Sequence, residues 1–143
     1  NLALEGKPAD LVITTHVCRG NYHSTWASSG GYEPIAEILF GGEQVDGFYL
    51  EFDDERSGGF EPLRFVPNNK KVVLGLLTSK SPVLEDEKII LTRIQEAAQF
   101  VPLNNLSLSP QCGFASCEIG NKLTEDEQWA KLAHVKQISE KVW

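Results

Sequence analysis

The sequence is poor in three things: long apolar runs, clustered basic side chains and cysteine. Its apolar stretches fall far short of the roughly 18 residues that suggest a membrane-spanning helix. No basic segment followed by an apolar one marks its start, so neither a membrane partner nor a secretory signal is expected in these residues. Lysines and arginines are scattered through a chain of net charge -7. Phosphate backbones select the opposite, a basic cluster, which argues against nucleic acid. The nearest approach to one, Lys70-Lys71, reads as a solvated turn. Three cysteines, Cys18, Cys112 and Cys117, are an odd number. They point away from a disulfide framework and toward a cytoplasmic protein, and their spacing is unlike that of a two-knuckle zinc finger.

What is present is a globular composition. The chain has 143 residues, 41% hydrophobic and 23% charged, which suits one domain with a moderate core. Within it, Val12-Ile13-Thr14-Thr15-His16-Val17-Cys18-Arg19-Gly20-Asn21 stands out as a short, β-branched run ending in a histidine and a cysteine two residues apart. On an extended backbone side chains repeat with period two, so His16 and Cys18 point the same way. An imidazole beside a thiol suits a soft divalent metal such as zinc. Two donors do not make a tetrahedral site, however, and a buried histidine beside a buried cysteine explains the pair equally well.

Taken in order, residues 1 to 10 read as a connector, with a turn at Gly6-Lys7-Pro8. Leu11 to Thr15 is expected to be a strand covered on both faces. A polar loop runs from Arg19 to Tyr32. Pro34 fits the first turn of a short helix whose apolar stripe is Ile35, Ala36, Ile38 and Leu39, stopped by Gly41-Gly42. Val45 to Phe52 is the second strand and ends in the acidic residues Glu51, Asp53, Asp54 and Glu55. After a loop broken by Pro62 and Pro67, Val72 to Leu77 is the third strand, fully buried. A helix follows from about Glu85 to Val101, with Ile90, Ile94, Ala97, Ala98 and Val101 on one side. The fourth strand, Leu106 to Ser109, leads through Pro110-Gln111 to Cys112. Thr124 and Glu127 form a capping box that opens a last helix, with Leu132, Val135, Ile138 and Val142 toward the sheet. Apolar strands alternating with amphipathic helices mean a parallel sheet of the α/β class. Four strands make either a small open sheet or half of an eight-stranded barrel.

In such a sheet every strand's carboxyl end lies on one side, and that side carries the chemistry. His16 and Cys18 end the first strand, Glu51 ends the second, and Cys112 follows the fourth. Two thiols, an imidazole and a carboxylate form a mixed set that favours zinc. Sulfur donors make the metal a poor activator of water, which weakens a hydrolase reading, but a good partner for a further thiolate held ready as a nucleophile.

Thr15-His16-Val17-Cys18, Phe48-Tyr49-Leu50-Glu51 and Ser109-Pro110-Gln111-Cys112-Gly113-Phe114 resemble the catalytic domain of the cobalamin-independent methionine synthase family. Arg19-Gly20-Asn21-Tyr22 and Asp53-Asp54-Glu55-Arg56-Ser57-Gly58 look like those of its shorter, single-barrel bacterial relatives. The resemblance implies half of a (β/α)8 TIM barrel, strands five to eight, with residues 1-143 forming its C-terminal half as a fragment or truncated chain. It implies zinc held by His16, Cys18, Glu51 and Cys112. It also implies a methyltransferase that passes a methyl group to the thiolate of homocysteine or a related small thiol, forming methionine. The donor in full-length synthases is a 5-methyltetrahydrofolate. The family recognises the amino-acid end of homocysteine with groups from the preceding part of the barrel, which this chain lacks. It is therefore expected to be inactive alone, and to complete its sheet by self-association or with an N-terminal barrel half. A zinc site without turnover and a metal-free assembly half-barrel are the competing readings.

Among the remaining candidates, Asp54 is near enough to Glu51 to face substrate or support a ligand. Cys117 is not expected to ligate. His23 and the loop groups Tyr22, Ser24 and Arg56 are placed to meet a polar substrate, and His134 reads as surface. Trp26, Tyr32 and Phe114 are candidate pocket walls, and Trp129 and Trp143 helix packing.

Overall fold

The computed structural model describes all residues, 1–143. Four parallel strands form one sheet in the order β1-β2-β3-β4: β1 Thr14–Val17, β2 Gly47–Glu51, β3 Lys71–Leu77 and β4 Leu106–Pro110. Three helices, α1 Ala36–Gly42, α2 Glu87–Ala97 and α3 Glu125–Ser139, connect or follow them. Sequential parallel neighbours joined by helices are the repeating unit expected from the alternation of apolar strands and amphipathic helices.

The core lies between the sheet and its helices. Phe48, Leu50, Leu74 and Leu76 from the strands meet Phe40, Ile90, Ile94 and Ile138 from the helices, all buried. A run of aromatic rings, Phe48–Phe40–Tyr32–Phe52–Phe60, crosses this layer with centroids 4.7–5.9 Å apart. Such contacts add about 0.5–1.5 kcal/mol per pair beyond area burial.

Several boundaries differ from the sequence expectation. β1 starts at Thr14 rather than Leu11, because Leu11 and Val12 are exposed and the Asp46 carboxylate takes the Ile13 N–H at 2.8 Å. Nor is β1 covered on both faces: Thr14 and His16 are exposed. α2 starts at Glu87, since Asp86 caps it by accepting from the Lys88 N–H at 2.7 Å. Glu85 is used elsewhere, accepting from the Thr78 N–H at 2.9 Å and from Lys131 Nζ at 2.7 Å. The capping box of Thr124 and Glu127 opens α3. The buried stripe of that helix contains Lys131 as well as Ile138, the ammonium paired with the Glu85 carboxylate and donating to the Val83 carbonyl.

Gly75 is required by a close approach. A Cβ there would meet Leu50 O at 2.8 Å and Gln111 Cα at 2.9 Å. It sits where the β3–β4 register shifts, between Gly75 and Leu77, so the chain after β4 closes tightly over the end of β3.

Candidate metal centre

The carboxyl ends of the strands gather the residues that the sequence singled out. Ligand atoms of His16, Cys18 and Cys112 all lie within 4.8 Å of one another, and His16 Nε2 stands 3.4 Å from Cys112 Sγ. They line a cavity of about 490 Å³ together with Asn21, Tyr49 and Ser109. Donors around a tetrahedral zinc with ordinary bond lengths stand about 3.4–3.8 Å apart. The three side chains therefore fit three corners of such a site with little movement.

The electrostatics of the donors agree with that fit. Burial pushes the Cys112 thiol up to about 12, and the neighbouring Cys18 adds to the rise, while Lys80 pulls it back. Two thiolates without a cation between them are unfavourable, and a dication removes the conflict. Gln111 supports the site from behind. Its Nε2 donates to Cys112 Sγ at 2.9 Å, and its Oε1 accepts from Lys80 Nζ at 2.7 Å and from Ser79 Oγ at 3.1 Å.

Glu51 stands outside the three-donor group and is wholly buried. Its Oε2 accepts from the Arg19 backbone N–H at 2.5 Å and its Oε1 from Arg56 Nη2 at 3.1 Å. The Tyr32 hydroxyl ties the backbone of the same strand end, accepting from Glu51 N at 2.8 Å and donating toward Val17 O at 3.1 Å. Tyr32 is thus a buried brace between β1 and β2 rather than a pocket wall, and burial raises its phenol to about 12. Asp54 caps the 3-10 turn Glu55–Ser57 and pairs with Arg56 Nε at 2.7 Å. Beside it, burial raises the Asp53 carboxyl to about 6. The Thr78 hydroxyl and Lys80 oppose the rise, and Glu51 and Asp54 add to it.

Cys117 lies outside the donor group, in the loop after β4. His23 contacts Gly120 O through Nδ1 at 3.1 Å, and His134 contacts Glu85 O through Nε2 at 2.8 Å, so each is tied to backbone. Trp26 faces Arg56 at 4.0 Å and Lys80 at 5.3 Å. Sequence reasoning missed Lys80 and Gln111. Gln111 sits next to Cys112 in the chain, which is a signal of sorts; Lys80 carries none, because its partner is 31 residues away.

A family model described as the cobalamin-independent synthase catalytic domain matches residues 3–140. The chain belongs to that family. Two proteins of Bacillus subtilis (strain 168), named uncharacterized proteins YxjH and YxjG, are 56% and 55% identical to it over 144 residues, 100% of this chain. The chain spans 38% of the length of each of these curated relatives. Among solved structures, a protein of Listeria monocytogenes assigned as a vitamin-B12-independent methionine synthase is 41% identical with a TM-score of 0.70. The alignment covers 99% of this chain and 38% of that one. A B12-independent methionine synthase from Shewanella sp. W3-18-1, solved in complex with selenomethionine, is 21% identical with a TM-score of 0.76. It covers 98% of this chain and 40% of its own, and supports the fold alone. The four parallel strands of this cobalamin-independent synthase domain are half of a TIM-barrel fold. No helix is long and apolar enough to cross a membrane.

Proposed function

We propose that this chain is the zinc-binding C-terminal half of a barrel that transfers a methyl group to the thiol sulfur of homocysteine, or a related small thiol, to form methionine. The observation that carries the reading is the convergence of His16, Cys18 and Cys112 within 4.8 Å in one cavity. Membership of the family supports the reaction class.

In this reading His16, Cys18 and Cys112 hold the zinc, with Glu51 as a fourth, exchangeable donor. Zinc with this sulfur-rich set keeps a small thiol deprotonated at neutral pH while leaving it nucleophilic. Gln111 fixes the Cys112 rotamer and donates to its sulfur, which favours the thiolate form needed for ligation. Arg56 and the Arg19 N–H hold the Glu51 carboxylate when it is not bound to metal, so that the buried charge is never unpaired. The methyl donor is a methyl-folate or a carrier of equivalent chemistry. The chain spans 38% of its curated relatives, and groups for the amino-acid end of the thiol substrate are expected from the rest of such a protein. Alone, the 143-residue chain is expected to bind zinc without turnover.

Zinc content of the purified chain, with and without Cys112→Ser, tests the site. One zinc per chain, lost in the variant, is the expected result. Zinc retained equally by both, or absent from the parent, overturns it. Methyl transfer to homocysteine by a full-length relative carrying the same substitution tests the reaction.

A further inference from the structure

Cys18 and Cys112 arrive at the cavity on very different supports. Cys18 follows β1 and opens a loop that folds tightly back on itself. The Arg19 carbonyl accepts from the N–H groups of Ala27 at 2.7 Å and Ser28 at 3.1 Å, and Tyr22 pairs with Thr25 across the turn His23-Ser24. Arg19 itself is buried, its guanidinium anchored on Gly30 O, the Tyr32 hydroxyl and Glu51 O. Cys112, by contrast, belongs to an irregular segment between β4 and α3. No N–H of residues 112–119 donates to another backbone group. A stretch with no ladder of its own is fixed only where neighbours hold it.

The loop after β1 supplies such a neighbour. Asn21 Nδ2 donates to Gly113 O at 2.9 Å and to Ser116 Oγ at 2.7 Å. Gly113 directly follows Cys112, and Asn21 lies just beyond Cys18, so one amide joins the two sulfur-bearing stretches. Its orientation is fixed, because a backbone carbonyl only accepts and the NH₂ end must face it. The other end gains nothing, since Asn21 Oδ1 is buried without a partner. Buried acceptors are nearly always satisfied. The side chain is therefore held for its two donors, although its acceptor is left empty.

Farther along, His23 and Ser24 have φ of 45° and 63°, a left-handed backbone that residues other than glycine seldom adopt. Both reach the same segment well beyond Cys112. His23 Nδ1 contacts Gly120 O at 3.1 Å, and Ser24 Oγ accepts from the Lys122 N–H at 2.9 Å. Strained turns persist where surrounding contacts over-determine them, so the loop after β1 is a firm base for Asn21. Resting on the zinc reading above, we propose that Asn21 is the positioning residue that holds Cys112 opposite His16 and Cys18 before a metal arrives. Gln111 braces Cys112 from the residue before it, and Asn21 braces it from the residue after. Thiols set in place beforehand lose less freedom on ligation, which raises affinity for the metal.

Two readouts test this on the 143-residue chain carrying Cys117→Ser, which leaves Cys18 and Cys112 as its only thiols. The first needs no metal. Diamide oxidises two thiols to a disulfide, its N=N bond taking up two electrons and two protons to become a hydrazine. The rate of forming Cys18–Cys112 in the metal-free chain thus reads how well the sulfurs are held together. Asn21→Leu keeps the bulk and removes the donors, and is expected to slow cross-linking about fivefold or more. Ser116→Ala spares the Gly113 bond and is expected to fall between that variant and the parent. His23→Ala is expected to lower the melting temperature and leave the rate unchanged. The second readout is zinc affinity by chelator competition. It is expected to fall about tenfold in Asn21→Leu, the scale for an outer partner of a ligand, and to hold in His23→Ala. If Asn21→Leu loses its folded circular-dichroism spectrum, Ser116→Ala decides by the same criteria. Cross-linking at the parent's rate or faster overturns the proposal, as does a parent that fails to cross-link. Slowed cross-linking with no zinc in the parent would sink the metal reading while upholding Asn21 as the brace of the thiol pair. Unchanged cross-linking with zinc bound sinks only the present inference.

Discussion

The four residues expected to form one ligand set fall into two environments. His16, Cys18 and Cys112 stand together at the cavity with no cation bonded to any of them. Glu51, from the strand between, is buried and held by Arg56 and by the Arg19 backbone. The soft donors are arranged for a metal, and the hard donor is arranged for arginine. If Glu51 reaches a metal, it exchanges partners to do so. On the proposed reading, the arrangement would give three permanent positions and one that can be vacated, as a site that admits a substrate thiol requires.

The strongest way to break this comparison is to remove one of the soft donors. Cys112→Ser is expected to weaken zinc binding by at least a hundredfold, read by competition with a chromophoric chelator. Zinc affinity unchanged in that variant would remove Cys112 from the permanent set. On the other side, Arg56→Met leaves Glu51 buried with one partner fewer. It is expected to destabilise the metal-free protein by about 2 kcal/mol, below the range for breaking a fully buried pair because Arg56 is itself 23% exposed. Added zinc is expected to recover more stability in this variant than in the parent, since Glu51 is released to bind. Equal recovery in denaturant titrations would show that Glu51 serves only the arginine clamp.

Smaller effects sharpen the boundary between the two environments. Gln111→Leu removes both the donor to Cys112 and the acceptor of Lys80. It is expected to reduce zinc affinity about tenfold, the scale for losing an outer partner of a ligand, with little change in melting temperature of the metal-free chain. Asp53→Asn probes the acidic side through pH. The folded carboxyl is raised to about 6, against about 3.9 in an unfolded chain. The contribution of this one group is therefore fully present below pH 4 and lost as pH rises through 6. The variant has no such loss, so metal-free parent and variant should match in acid and diverge in favour of the variant at pH 8. Curves that stay parallel would mean that Asp53 finds a partner in solution.

How much of this was legible in the sequence depends on which physics set each feature. β3 is an apolar run in the middle of the sheet, and the capping box of α3 is a local pattern, so both were readable within a residue or two. β1 was placed three residues early, because Leu11 and Val12 have strand-like side chains but no strand beside them. Only the Asp46 carboxylate, far along the chain, marks where pairing begins. Strand-end convergence foretold that His16, Cys18 and Cys112 would meet. It could not foretell which cation Glu51 would choose, because Arg19 and Arg56 reach it through loop paths that carry no periodic signal. Lys80 and the buried Lys131 were invisible for the same reason, and Gln111 was marked only by its place beside Cys112. Each is an ordinary polar residue in its own segment and becomes exceptional only when a distant partner arrives.

The strand order gives the donor group a mechanical meaning. β1 and β4 are the two outer strands, separated by β2 and β3. In a flat sheet they would lie about 14 Å apart, three inter-strand spacings. Yet His16 and Cys112, which belong to or directly follow those outer strands, approach to 3.4 Å. The sheet must curl for this to happen, and a metal gripping both would act as a clasp across its open mouth. That clasp would tie residues 96 positions apart in the chain. Closing a loop of this length constrains the unfolded chain on a scale of about 4–5 kcal/mol. Zinc at this position would therefore set the curvature of the half-barrel as well as its chemistry.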